Sequence, residues 1–160
     1  MARESESRAY VTLFEPVDKT GSALVSDAVN LALYDGFTAY ISFGAITADS
    51  VLTVYADSTA ALAAALTTTI AFKYRLSAAD FKVALADQFG DPISVAATGL
   101  TLTAASFDHR TIAIEIDPDT LAAGAHWIAI NFSSVGNPLL MAGIGVGESR
   151  YPGHLIPSAL

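Results

Sequence analysis

The stretch that decides the fold is Thr69-Ile70-Ala71-Phe72-Lys73-Tyr74-Arg75-Leu76. Its large apolar side chains, Ile70, Phe72, Tyr74 and Leu76, fall at every second position, with Thr69, Lys73 and Arg75 between them. Successive side chains of a strand point to opposite faces, so this spacing predicts a strand with one face buried and one in water. The same test selects Thr111 to Ile116, with Ile112, Ile114 and Ile116 inward, and His126 to Phe132, with Ile128, Ile130 and Phe132 inward. Further strands are expected at Ala9 to Phe14, Val29 to Tyr34, Thr38 to Gly44, Val51 to Tyr55, Leu100 to Ala104 and Leu139 to Val146. Phe81 to Asp87 also alternates and is read as a strand, joined to Ile93-Ser94-Val95 through Gly90-Asp91-Pro92.

Turn signals separate these segments: Asp35-Gly36, Asp117-Pro118-Asp119, Ala123-Gly124 and Gly136-Asn137-Pro138. Many short strands with regular turns, and no alternation of strand and helix, give an all-β class built as an antiparallel β-sandwich. The pattern leaves jelly-roll and immunoglobulin-like topologies equally open. At most one short helix is expected, near 58–66, where alanines accompany Leu62 and Leu66 one turn apart. The expected organisation is a flexible arm over 1–8, a sandwich domain over 9–147 and an extended tail over 148–160, where Pro152 and Pro157 bracket Leu155-Ile156.

Composition removes several functions. The chain has no cysteine, and His109, His126 and His154 lack the spacings that bring imidazoles onto one metal. The net charge of −8, with only eight scattered basic residues, argues against nucleic acid, which is bound by clustered Lys and Arg. The mixed charges of the first eight residues do not resemble a leader peptide, and no apolar run is long enough to span a membrane as a helix. Synthesis in a cytoplasm is the expectation. Only 15% of the residues are charged, against roughly 25% in an average soluble domain, while 52% are hydrophobic. Such a chain either comes from an alanine-rich genome or presents a surface that a partner covers.

The candidate chemistry is sparse. Gly143-Ile144-Gly145-Val146-Gly147 lacks both the order and the Lys-Ser/Thr ending of a phosphate loop, and is read as a strand that something bulky approaches closely. Ser106, Asp108 and His109 lie together without a nucleophile elbow and are read as a turn. Asp117 and Asp119 are acidic but miss the calcium-loop pattern. Asn131-Phe132-Ser133 matches a glycosylation sequon, which means little in a chain without an export signal. No catalytic, cofactor-binding or metal-ligating residue is assigned, and no enzyme activity is expected. Tyr40, Tyr55 and Trp127 fall on strand faces opposite the apolar ones, where aromatic residues serve a protein interface or a sugar-stacking platform.

Ile114 to Ile130, with its strand, Leu-x-x-Gly turn and strand, combines with Asn131-Phe132-Ser133-Ser134, Asn137 to Gly143 and Ser149-Arg150-Tyr151-Pro152-Gly153. This combination resembles small virion proteins of tailed bacteriophages, especially capsid decoration or cement proteins. The resemblance covers the last two thirds of the chain and rests on short motifs. It implies a virion protein on the outer capsid surface, partnered by the major capsid protein and by itself as a homotrimer, that clamps capsomer junctions. A phage neck, tail or baseplate protein is the nearest alternative, and a carbohydrate-binding module a second. The expected contact residues are Tyr10, Phe14, Tyr40, Tyr55, Trp127, Arg150, Tyr151, Pro152, Leu155 and Ile156.

Overall fold

The alternating segments become strands, and the order in which they pair settles the topology. The computed structural model describes residues 8–19, 21–63, 66, 68–84, 87–133 and 139–150. Its strands are β1 (Arg8–Lys19), β2 (Leu24–Val25), β3 (Val29–Asn30), β4 (Tyr34–Ile46), β5 (Ser50–Asp57) and β6 (Thr69–Ile70). They continue with β7 (Phe72–Leu76), β8 (Ile93–Val95), β9 (Leu100–Leu102), β10 (Thr111–Ile116), β11 (Trp127–Phe132) and β12 (Leu139–Ser149).

The antiparallel pairs nest one inside the next: β1 with β12, β2 and β3 with β11, β4 with β10, and β5 with β9. A nested ribbon of this kind, folded over on itself, is a jelly roll. One sheet has the order β1-β12-β4-β10-β7-β8; the other runs β2-β11-β5-β6, with β3 beside β11 and β9 beside β5. The excursion from β6 to β8 is inserted between β5 and β9 and widens the first sheet beyond β10. The expectation of an antiparallel sandwich therefore holds, and the topology left open by the pattern is the jelly roll.

The inner faces meet in one core. Phe132 from the second sheet packs edge-on against Phe14 and Phe43 of the first, with ring centroids 5.4 and 6.1 Å away. Phe107, on the one-turn helix α1 (Ala104–Phe107), closes that end against Phe43 and Tyr74. Ile41, Leu52, Ile112, Ile114, Ile128 and Ile130 are fully buried around these rings. Burying each such side chain stabilises the fold by about 1.5–3 kcal/mol.

β12 reverses the usual arrangement of a half-buried strand. Gly143, Gly145 and Gly147 face the core, and Leu140, Ala142, Ile144 and Val146 face outward. The glycines leave room for rings: a Cβ on Gly145 would stand 2.7 Å from Phe37 Cε2, and one on Gly147 would stand 2.6 Å from Tyr34 Cδ1. A Cβ on Gly143 would press on Phe14 at 3.0 Å and Ile41 at 3.2 Å. The close-approach reading of this run is thus realised by three aromatic side chains. Burial pushes the Tyr34 phenol above its ordinary pKa, because the ionised form loses water there.

Several expectations are corrected. Residues 81–84 form turns instead of a strand, because the Asp80 carboxylate accepts the Lys82 N–H at 2.8 Å and the Asp80 carbonyl accepts the Val83 N–H at 3.0 Å. Phe81 and Val83 both stay exposed, so their alternation marks no buried face. The strand expected over Thr69 to Leu76 is divided at Ala71, with β6 in one sheet and β7 in the other. The strand expected over Val29 to Tyr34 stops at Asn30, whose side chain accepts from the Ala32 N–H and starts a 3-10 turn over Leu31–Leu33. Asp35-Gly36 lies within β4 instead of in a turn, while the short helical element expected near 58–66 is present as a 3-10 turn over Ala60–Ala63. Arg8 opens β1, and β12 runs on to Ser149.

These contacts make the inward glycines of β12 sensitive to any added atom. Gly145→Ala and Gly147→Ala are each expected to cost about 1–3 kcal/mol through overpacking. Gly36→Ala, whose Cβ would meet only Glu148 Oε2 at 3.7 Å, should be neutral or slightly stabilising. Urea midpoints measure all three, and equal midpoints would refute the close-approach account.

Candidate interaction surface

Because β12 carries its aliphatic side chains outward, the outer face of the first sheet is apolar where water would normally demand polar groups. Register places Thr12, Ile144, Tyr40 and Ala113 in one row across β1, β12, β4 and β10, and Tyr10, Val146 and Thr38 in the next. Ala142, Ser42 and Thr111 form a third. None of these ten residues carries a charge. Tyr10 is 55% exposed, Ile144 48%, Leu140 42% and Tyr40 37%, so the row presents large apolar side chains to solvent. Monomers rarely expose contiguous apolar patches larger than a few hundred Å², and larger ones mark interaction sites.

The excursion between β7 and β8 extends this face. Residues 77–90 close on themselves through Ala78 N–H to the Gln88 carbonyl and Gly90 N–H to the Leu76 carbonyl, at 2.7 and 3.0 Å. Phe89 then lies edge-on to Tyr40, centroids 6.1 Å apart, and Phe81 packs edge-on against His109 at 5.3 Å. Between Phe81 and Leu140 runs a shallow groove of about 370 Å³, with Pro16, Val17 and Gly44 in its walls. Gly44 is what lets Leu140 lie down there, since a Cβ on it would stand 2.8 Å from Leu140 Cβ. Charge returns at the margins of the face: Arg8 and Glu148 stand opposite each other beyond Tyr10 and Val146, Asp18 lies beside Leu140, and Glu115, opposite Thr38, accepts from Arg75 Nε at 2.6 Å.

The expected contact residues separate into five groups. Tyr10 and Tyr40 share the face just described, on the two strands that flank β12. Phe14 is buried instead, because the register shift between Thr12 and Phe14 turns both Leu13 and Phe14 into the core. Tyr55 and Trp127 are half-buried on the outer side of the other sheet, with Tyr55 beside Ala129 and Trp127 beside Asp57 and Asn30. Arg150 is held within its own chain: Nε donates to Asp35 at 2.9 Å and Nη2 to Asp119 at 3.2 Å. The bond to Asp35 raises its pKa further, so it stays charged. Tyr151, Pro152, Leu155 and Ile156 lie outside the described residues. Leu140, Ile144, Phe81 and Phe89 were missed by sequence reasoning. The inverted pattern of Gly143 to Gly147 was the signal that could have found Ile144.

The polar clusters do other work. Asp108 Oδ1 accepts the Ile46 N–H at 2.8 Å, tying the turn after α1 to the end of β4, while its other oxygen stands 3.7 Å from His109 Nε2. Arg110 donates to the Ser106 carbonyl at 3.1 Å. The turn is present as expected, but the Asp108 side chain bonds the distant Ile46 backbone instead of its own. Asp117 caps the 3-10 turn Pro118–Thr120 through the Asp119 N–H at 2.9 Å. Among the described residues, no three His, Asp or Glu side chains come together as metal donors.

No family model and no curated protein matches the chain. Solved structures similar to it include the following two. The crystal structure of SPBc2 prophage-derived protein YomS is 13% identical with a TM-score of 0.42, over 88% of this chain and 93% of that one. The structure of infectious bursal disease virus Gx strain is 8% identical with a TM-score of 0.22, over 96% of this chain and 42% of that one. At these scores neither structure bears on what this chain does, and the jelly roll rests on the strand order itself.

Exposure separates the surface residues from the misassigned one in a stability experiment. Phe14→Ala is expected to cost about 3–5 kcal/mol, as for other buried phenylalanines. Ile144→Thr should change stability by no more than about 0.5 kcal/mol, since its side chain leans on solvent. A large loss for Ile144→Thr in denaturant titration would place that residue in a packed environment and contradict the surface described here.

Proposed function

We propose that the chain is a structural subunit of a bacteriophage particle, a capsid decoration or cement protein that binds the outer capsid surface across capsomer junctions and associates with itself as a trimer. The observation that carries this reading is the centre of the outer face of the first sheet, where Tyr10, Tyr40 and Ile144 are exposed and the charged residues Arg8, Asp18, Glu115 and Glu148 stand only at the margins. Covering such a face removes apolar area from water and is favourable at roughly 25 cal/mol per Å² before the cost of association. Three features add support. The jelly roll is an architecture used by viral capsid domains, though also by lectins and cupins, so fold alone decides nothing. Residues 114–153 resemble small phage virion proteins, and a clamp needs a rigid body and a complementary face more than it needs a reactive centre. Among the described residues, no helix is long and apolar enough to cross a membrane.

The test is reconstitution. Purified protein mixed with undecorated capsids should bind, seen by co-sedimentation and light scattering. Ile144→Asp should weaken binding by about thirtyfold or more, a hot-spot loss of about 2 kcal/mol. A strict monomer with no affinity for capsids ends the proposal. Density at a single vertex of the particle would move the protein to the neck, tail or baseplate.

A further inference from the structure

Among the described residues, the groove between Phe81 and Leu140 has a single charged side chain in its lining, Asp18. The floor crosses three strands, from Asp18 on β1 over Leu140 on β12 to Gly44 on β4, and Phe81 forms the far wall. Neighbouring strands stand about 4.8 Å apart, so the floor from β1 to β4 is roughly 10 Å wide. Register sets Asp18 directly opposite Leu140, and residues opposite each other in an antiparallel pair project from the same side of the sheet. Leu140 is exposed on the outer side, so the Asp18 carboxylate stands there too, at the β1 end of the groove.

This carboxylate differs from the others near the sheet. Asp35, Asp119, Glu115 and Glu148 each face an arginine of their own chain, whereas among the described residues no ion pair engages Asp18. A larger cleft of about 500 Å³, where β4 begins and β10 ends, shows the contrast. Asp35, Glu115 and Glu148 in its lining are paired in this way, Asp117 caps a turn, and Lys73 stands among them.

A free carboxylate at one end of an apolar groove is complementary to a cation on an aliphatic stem. Lys and Arg are built so, laying the stem along apolar surface while the head reaches a charge. The Phe81 end already has a cation, since Lys82 Nζ stands 5.9 Å from the ring centroid, so an incoming charge belongs at the Asp18 end. A second copy of this chain is a poor source of that side chain. It has eight basic residues against sixteen acidic ones, and Arg8, Arg75, Arg110 and Arg150 are engaged within the chain.

We propose that the groove takes a Lys or Arg side chain of a different protein, with its stem against Leu140 and Phe81 and its head on Asp18. That this protein is the capsid protein rests on the reading above; the chemistry of the groove does not.

The probe is n-butylguanidinium, with two controls: n-butylurea, which keeps the shape without the charge, and guanidinium, which lacks the stem. Titrated into isotope-labelled protein, butylguanidinium should shift the amide resonances of Asp18, Gly44 and Phe81 saturably, about threefold or more tighter than either control. Asp18→Asn should remove the preference for the charged probe. On undecorated capsids the same variant should bind about tenfold more weakly than wild type. Equal binding of butylurea and butylguanidinium, or a preference that survives Asp18→Asn, would overturn the selectivity for a cation whatever the capsids do. Unchanged capsid binding by Asp18→Asn, with Ile144→Asp still weakened, would overturn the groove as a contact and leave the assembly reading standing. A wild-type protein that ignores capsids would end the assembly reading instead, and the titration would still decide the groove.

Discussion

The rest of the structure depends on rings occupying the space that β12 leaves empty. Gly143, Gly145 and Gly147 bring the backbone of β12 within reach of Phe14, Phe37 and Tyr34 from the strands on either side. Since side chains alternate along a strand, glycine inside forces the other residues of the run outside. Ile144 and Val146 thus belong to the outer face by the same constraint that seats Phe37 and Tyr34 within. Core packing and surface character are two results of one pattern.

From that constraint follow both recesses of the molecule. The outer face is apolar at its centre, charged at its margins and bordered by the excursion that carries Phe81 and Phe89, which suits a broad protein contact. The end cleft is narrower, surrounded by carboxylates and placed beside the clamp on Arg150. A sandwich with a mean charge content as low as this one keeps its acidic groups at its ends and loops, away from the centre of the outer face.

Much of the fold was legible because period-two alternation records burial directly. Ile112, Ile114, Ile128, Ile130 and Phe132 all lie where alternation put them, in the core. Alternation failed where it met a change of geometry. It continued through Ala71 unbroken because the two sheets share one core, so a strand can change sheets without changing its buried side. Tyr10 and Phe14 were expected together as contact residues, but the register shift before Phe14 turned its side chain into the core. It counted Phe81 and Val83 as a strand when the Asp80 carboxylate had already organised a turn. The candidate surface was half legible: Tyr10 and Tyr40 were found as outward aromatics, whereas Leu140 and Phe89 depend on pairings that no local pattern encodes.

The central claim is that the outer face of the first sheet exists to be covered. Ile144→Cys offers the most direct measurement, because a chain without other thiols reports from that position alone. Maleimide should label it rapidly in the free subunit and at least about tenfold more slowly once the subunit is bound on particles, as expected for a desolvated contact. Asp91→Cys should label equally in both states. Equal rates at position 144 in free and bound protein would contradict the account.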